Sequence, residues 1–286
     1  MLEAITDTFT ALVKDGETYV FLLPIYTALL LGEQIAHKFL SPRPWNHRDS
    51  WANIAITVCY LGLDVLVGKI VPVALMAFLY VNFRVFTLDF GPLAWVVVFL
   101  LHDLAWYVDH RIAHRVGFFW ALHHVHHSSP EYNMTVASRG FVVDNTLLSR
   151  PTFYLLPLLG VSPFQFIAIT ILTNIFGIAQ HTRLVPKLGV IDWLFATPSS
   201  HRVHHGSNPK YLDRNYGEML MIWDHLFGTY QVEEEEPIYG VTDPINTYNP
   251  VLIEVAGMRW LARKIGRAQG LGDKLRCLVY PPGWDP

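Results

Sequence analysis

Four apolar stretches stand out along the chain, each bounded by polar residues or helix breakers. The first, about Tyr19 to Ala36, reads YVFLLPIYTALLLGEQIA. The second runs from about Trp51 to Tyr80 and is interrupted by Asp64, Lys69 and Pro72. The third, about Gly91 to Val108, reads GPLAWVVVFLLHDLAWYV. The fourth, Leu147 to Ala179, carries PLLGVSP at its centre, where Pro and Gly predict a tight turn between two helices. A helix needs ~20 apolar residues to cross a bilayer, and these stretches approach that length. The pattern predicts an all-α integral membrane protein with about four to five membrane helices, one hairpin included, and a cytoplasmic helical cap.

Lys and Arg in short loops orient such a chain. The loop after the first stretch holds Lys38, Arg43 and Arg48, whereas the loop before the third holds only Arg84. The first loop is therefore expected on the cytoplasmic side. The third stretch then returns the chain to that side, and the hairpin leaves and re-enters it. Every histidine-rich segment is expected to land there.

The C-terminal stretch VLIEVAGMRWLARKIGRAQGLGDKLRCLVY spaces apolar residues at the helical period, with Arg259, Arg263, Lys264 and Arg267 between them. It predicts either a helix lying on a membrane surface or an amphipathic helix packed on the cap. The expected organisation is one domain over residues 1–286, with a histidine-motif core at 91–230 and an amphipathic or cap segment at 251–286.

Composition agrees with a membrane protein: 52% of residues are hydrophobic, 14% are aromatic and the mean hydropathy is +0.28. A formal charge of −3 gives no signature of nucleic-acid binding. Cys59 and Cys277 lie far apart and show no zinc or redox spacing. The first residues carry Glu3, Asp7 and Lys14, so no cleavable signal peptide is expected. The acidic run Glu233 to Glu236 reads as a solvated loop.

The chemistry lies in the histidines. His110 and His114 are four apart in HDLAWYVDHRIAH. His123, His126 and His127 sit at i, i+3 and i+4 in HHVHH, and His201, His204 and His205 repeat that spacing in HRVHH. Residues three and four apart share one helix face, so each segment presents its imidazoles together. His181, at the end of the hairpin, is placed to join them. Neutral imidazole is the commonest metal ligand. Eight or nine converging rings exceed the ~4 to 6 ligands of one ion, which predicts two metals.

A ligating imidazole needs a partner for its other nitrogen, and Asp103, Asp109, Glu131, Asp192, Asp213, Glu218 and Asp224 are near in sequence. His102 is read as a ligand or a group behind the ligands, and Asp103, Asn174 and Asp224 as groups behind them. His37, His47 and His225 read as ordinary polar histidines, and His124 falls off the ligand face of its segment. A histidine patch without metal, and a metal-carrying transport protein, are the alternatives. The second needs ligands along a path through the bilayer, and these histidines cluster at one end of the spans. Asp64 and Lys69 fit a local ion pair near a span's end or a functional intramembrane charge. Trp106, Tyr107, Phe118, Phe119 and Trp120 suit a lipid channel or an interfacial belt. Tyr132 and Asn133 suit contacts behind the ligands or a cap of the next segment.

HxxxH, HxxHH and HxxHH beside membrane-length helices resemble the fatty acid hydroxylase/sterol desaturase superfamily of membrane non-haem di-iron enzymes. WALHHVHHSSPEYN, TPSSHRVHHGSNPKYLDRNYGEMLMIWDHLFGTY and YGVTDPINTYNP resemble its ether-lipid-cleaving branch. The resemblance covers roughly His102 to Pro250. It implies two irons and a monooxygenase that uses O2 to hydroxylate a lipid C–H bond, with ether-lipid cleavage foremost. Fatty acyl, sterol and aminolipid hydroxylation or desaturation remain open within the superfamily. It also implies an outside reductant, either a tetrahydropterin or an electron-transfer protein. The position directly after HxxxH, implied to be acidic where pterin is used, is Arg115 here. The chain's end at Pro286 favours a prokaryotic inner membrane, with the endoplasmic reticulum as the eukaryotic counterpart.

Overall fold

The structure, a computed structural model, describes residues 17–63, 70–141 and 149–286. These residues form α1 (Glu17–Leu40), α2 (His47–Leu63), α3 (Ile70–Phe83), α4 (Pro92–Arg115), α5 (Gly117–His127) and α6 (Pro163–Gln180). Shorter helices follow: α7 (Val190–Leu194), α8 (Pro198–His204), α9 (Ile222–Phe227), α10 (Pro250–Glu254), α11 (Ala256–Arg267) and α12 (Leu271–Val279). Two 3-10 turns, Met134–Val136 and Pro151–Leu155, complete the set. Among the described residues there is no strand, only isolated bridges at Phe195–Leu220 and Gly206–Tyr239. The fold is all-α.

The apolar stretches become helices with two differences. The second stretch is divided between α2 and α3, and Asp64 and Lys69 lie outside the described residues. The fourth is not a pair of long helices: its described first limb is only the 3-10 turn Pro151–Leu155. Pro151, Pro157 and Gly160 interrupt helical hydrogen bonding there. The second limb, α6, starts cleanly. Ser162 and Gln165 form a reciprocal capping box and Pro163 occupies the first turn. By length and composition, α4 and α6 are the described helices able to cross a membrane, against the four to five expected. They support membrane association. Met76, Val98, Phe153, Leu156 and Ile169 pack α3, α4, α6 and the 3-10 turn into one apolar cluster.

α4 and α6 both end at the histidines. α4 continues past the third apolar stretch, so His110 and His114 ride on its last turns. At Val116 the backbone turns extended, with φ −122° and ψ 118°, and α5 starts at once. That sharp corner folds His123 and His127 back toward α4. Gly117 lets the C-terminal chain close on this corner, because a Cβ there would lie 2.1 Å from the carbonyl oxygen of Cys277.

The C-terminal helices pack against α5. Leu261, Ala268 and Cys277 bury themselves with Ala121, and Gly257 brings the α11 backbone onto α5. A Cβ on Gly257 would stand 2.0 Å from the Ala121 carbonyl oxygen. Such crowding of backbone against backbone cannot relax by moving a side chain. Gly257→Ala is expected to cost ~1–3 kcal/mol, the usual range for overpacking, and to lower the thermal midpoint in detergent. Gly272→Ala, where nothing lies within 4 Å, is the control and is expected not to lower the midpoint, since Ala favours a helix over Gly.

Candidate metal centre

Nine imidazoles from four segments converge in two groups. His110, His114, His123, His127 and His204 form one, and His126, His181, His201 and His205 the other. Within each group the ligand nitrogens lie within 4.8 Å of one another. The groups adjoin: the rings of His127 and His205 stack at 4.4 Å, and those of His123 and His126 stand 5.2 Å apart.

The contacts between nitrogens are close. The Nε2 atom of His127 lies 3.1 Å from those of His114 and His123, and 3.2 Å from that of His204. His181 Nε2 stands 3.2 Å from His205 Nε2 and 3.1 Å from His201 Nε2. Backbone carbonyls fix several of these rings. His110 Nδ1 donates to Tyr216 O at 2.9 Å, and His204 Nδ1 to Arg214 O at 2.9 Å. His126 Nδ1 donates to Arg139 O at 3.1 Å, and His181 Nδ1 to Gly177 O at 2.7 Å. A neutral ring that donates from Nδ1 carries a bare lone pair on Nε2. Lone pairs aimed at one point about 3 Å apart match nitrogens around an ion at the ~2.1 Å metal–imidazole distance. The donor set therefore fits a metal.

Burial opposes protonation. It holds His123, His127, His181, His201 and His205 well below the free-imidazole value, with neighbouring histidines adding to the effect. His126 is pushed down to about 4 and His204 to about 3, chiefly by burial.

The supporting layer is mostly main chain. Asp224, fully buried, accepts the Tyr216 and Gly217 amides at 2.8 Å each and the Thr229 hydroxyl at 2.6 Å. It shapes the loop whose Tyr216 carbonyl aims His110, and so acts through that loop. In the same loop Asp213 and Asn215 have positive φ, 59° and 55°. Arg202, on α8 between the histidines, forks onto Glu233 through Nε at 2.8 Å and Nη2 at 2.7 Å. Glu233 also accepts the Ser199 hydroxyl. The acidic run is thus no simple solvated loop: Glu233 is buried and clamps α8, because Arg202 needs a carboxylate where water does not reach.

Other expected residues fall elsewhere. His102 lies outside both groups, with Nε2 3.1 Å from Thr170 Oγ1 and its ring against Phe153 and Phe166. Asp103 accepts from the Met219 amide and Trp223 Nε1 rather than from an imidazole. Asn174 is exposed on α6, and the Gly177 carbonyl orients His181 in its stead. His124 is buried but stays outside both groups, and so do His37 and His225. Tyr132 stacks on His181 at 5.5 Å and on Tyr239 at 4.9 Å, while Asn133 caps the following 3-10 turn. Arg115 pairs with Asp213 at 2.5 Å, and the same carboxylate stands 3.9 Å from His114 Nδ1. A carboxylate thus reaches this corner from a distant loop.

A pocket opens beside His110 and His123, walled by Trp106, Ala113 and Phe119 with Asp109, Ser149 and Arg150. The Arg150 guanidinium lies 3.9 Å over the Trp106 ring. Of the aromatic residues singled out in the sequence, Trp106 and Phe119 line this pocket. Trp120 packs at 5.2 Å from His114, Tyr107 is buried, and Phe118 joins the C-terminal cluster.

Residues 95–229 match the sequence profile of the fatty acid hydroxylase family. Over this segment, a little under half of the chain, it is similar to members of that family. It is 32% identical to an alkylglycerol monooxygenase of Xenopus tropicalis, over 96% of this chain and 61% of that protein. It is 31% identical to an alkylglycerol monooxygenase of Homo sapiens, over 92% of this chain and 59% of that protein. An ornithine lipid hydroxylase of Rhizobium tropici is 32% identical over 50% of this chain and 44% of its own length. The chain thus spans about three-fifths of the length of these two vertebrate proteins. No solved structure matches it.

The buried neutral rings give a pH dependence. Unfolded histidines titrate near 6.5, whereas His126 and His204 fold with values of about 4 and 3. Below 6.5 the unfolded chain takes up protons that the folded site refuses, so stability falls as pH drops through that window. Chelator-treated protein in detergent is expected to lose thermal stability steadily from about pH 7 to about pH 5. A flat midpoint across this range would contradict neutral, buried imidazoles.

Proposed function

We propose that this chain is a membrane monooxygenase that hydroxylates a lipid C–H bond at an iron pair held by the nine histidines. The observation that carries the reading is the pair of adjoining imidazole groups with facing Nε2 atoms about 3 Å apart. One iron falls to His110, His114, His123, His127 and His204, the other to His126, His181, His201 and His205. When bound, the irons supply activation of O2, with electrons from an outside reductant, either a tetrahydropterin or an electron-transfer protein. The reading places the centre at the cytoplasmic ends of α4 and α6.

This chain's own residues supply aim, shape and dryness. The carbonyls of Arg139, Gly177, Arg214 and Tyr216 hold four rings in one tautomer. The pocket of Trp106, Ala113 and Phe119 receives an apolar chain and presents one carbon beside His110 and His123. Asp109 and Arg150 at the same pocket provide an acceptor and a donor for a polar headgroup. The preferred substrate is an alkylglycerol-type ether lipid, on the strength of the likeness to alkylglycerol monooxygenases along nearly the whole chain. Hydroxylation at the carbon beside the ether oxygen gives a hemiacetal, which collapses to a fatty aldehyde and the free glycerol hydroxyl. The likeness to an ornithine lipid hydroxylase supports an aminolipid as the second candidate.

Metal content and turnover test this together. Protein purified anaerobically is expected to carry two irons per chain and to release labelled aldehyde from a labelled alkylglycerol, given tetrahydropterin and O2. His204→Ala and His201→Ala, one in each group, are each expected to lose iron and abolish turnover. Two irons without aldehyde would move the assignment to other lipids or reductants, and one metal or fewer per chain would sink the dinuclear reading.

The pocket carries its own test. Ala113→Leu narrows it, so turnover of a long-chain lipid is expected to fall at least tenfold, about 1.4 kcal/mol of transition-state binding, with iron content unchanged. Equal turnover of long and short chains in this variant would place the substrate elsewhere.

A further inference from the structure

Away from the histidines, α7 and α9 expose a broad apolar face. Val190 is 76% exposed, Trp193 54% and Leu226 67%, and Ile191, Leu194 and Ile222 share the surface. The two helices form one unit. Ala196 N donates to Met219 O at 2.9 Å, Met221 N to Leu194 O at 3.0 Å, and His225 Nε2 to Trp193 O at 3.0 Å. A contiguous exposed patch of this kind marks a contact surface.

Its position identifies the contact. Asp103 of α4 accepts the Met219 amide at 3.0 Å and Trp223 Nε1 at 2.8 Å. Phe227 stacks on Tyr107 of the same helix at 5.4 Å. At 1.5 Å per residue, Asp103 stands ~17 Å from the start of a helix ~36 Å long. The patch therefore lies beside the middle of α4 and not beyond its end. Leu93, Val96 and Leu100 are exposed on the face of α4 that carries Asp103 and Tyr107, so the patch is anchored on the exposed apolar side of a membrane-length helix.

The turn into α7 is tied from within the unit. Asp192 Oδ2 takes the amides of Leu188 at 2.7 Å and Gly189 at 2.9 Å, and its Oδ1 takes the Thr197 hydroxyl.

We propose that α7 and α9 are seated in the lipid of one leaflet, as a re-entrant foot that extends the lipid-facing surface of α4. Trp193 suits the boundary between acyl chains and headgroups, where its ring and its N–H find different surroundings. The occupant of the patch is the bilayer, not a protein partner or a second copy. The inference does not depend on the reaction proposed above.

The test uses the unmodified chain in phosphatidylcholine vesicles containing a phospholipid with a diazirine on its acyl chain. After irradiation, adducts are mapped by peptide mass spectrometry. In parallel, hydroxyl radicals generated in the water phase report solvent access. Adducts on residues 188–195 and 220–227 are expected within about twofold of the yield on α4, with Trp193 protected from oxidation. Labelled α4 with neither segment labelled would overturn the proposal, whether Trp193 is oxidised from water or shielded by another protein surface.

Discussion

Imidazole nitrogens that face each other across about 3 Å, with their protons already committed elsewhere, repel unless a cation lies between them. That constraint organises the whole polar half of this protein. Nine rings must be neutral, dry and aimed, and each requirement is met by a different part of the chain. Burial keeps the rings unprotonated. In four of them main-chain carbonyls fix which nitrogen carries the hydrogen. The corner at Val116 and the length of α4 bring the segments to one place.

The supporting framework is correspondingly stiff. Arg139 is 1% exposed and ties α2 to α5: its guanidinium meets Asp49, Asn53 and Ser128 while its carbonyl holds His126. Arg202 does the equivalent for α8 through Glu233. A buried ion pair is weak evidence of net stability, but breaking one partner leaves an uncompensated charge. Such pairs suit a structure in which a few tenths of an ångström decide whether ligand atoms converge.

Much of this was legible in the sequence. Spacings of three and four residues named eight of the nine rings in the two groups, because helix geometry alone puts each set on one face. His181 followed from its place at the end of a predicted helix. Asp224 was named among the groups behind the rings, but the direct acceptors were not legible, for a physical reason: they are backbone carbonyls, and a sequence does not mark which carbonyl will face inward. Proximity in sequence pointed instead to Asp103 and Asn174, one bonded to Met219 and Trp223 and the other exposed. The acidic run Glu233–Glu236 looked solvated because its partner, Arg202, stands 31 residues away. The first limb of the fourth apolar stretch misled because hydropathy counts apolar residues without regard to the prolines that break their helix.

The use of carbonyls has a consequence for how this centre tolerates change. The groups that aim His126, His181, His204 and His110 belong to Arg139, Gly177, Arg214 and Tyr216, yet they are not side chains of those residues. Substitution at these positions leaves the acceptor itself in place. Insertion or deletion of a single residue in the 213–218 loop does not, since it shifts two acceptors at once. The centre is therefore guarded by chain length as well as by residue identity, since the spacing of residues along that loop sets where two of its acceptors point.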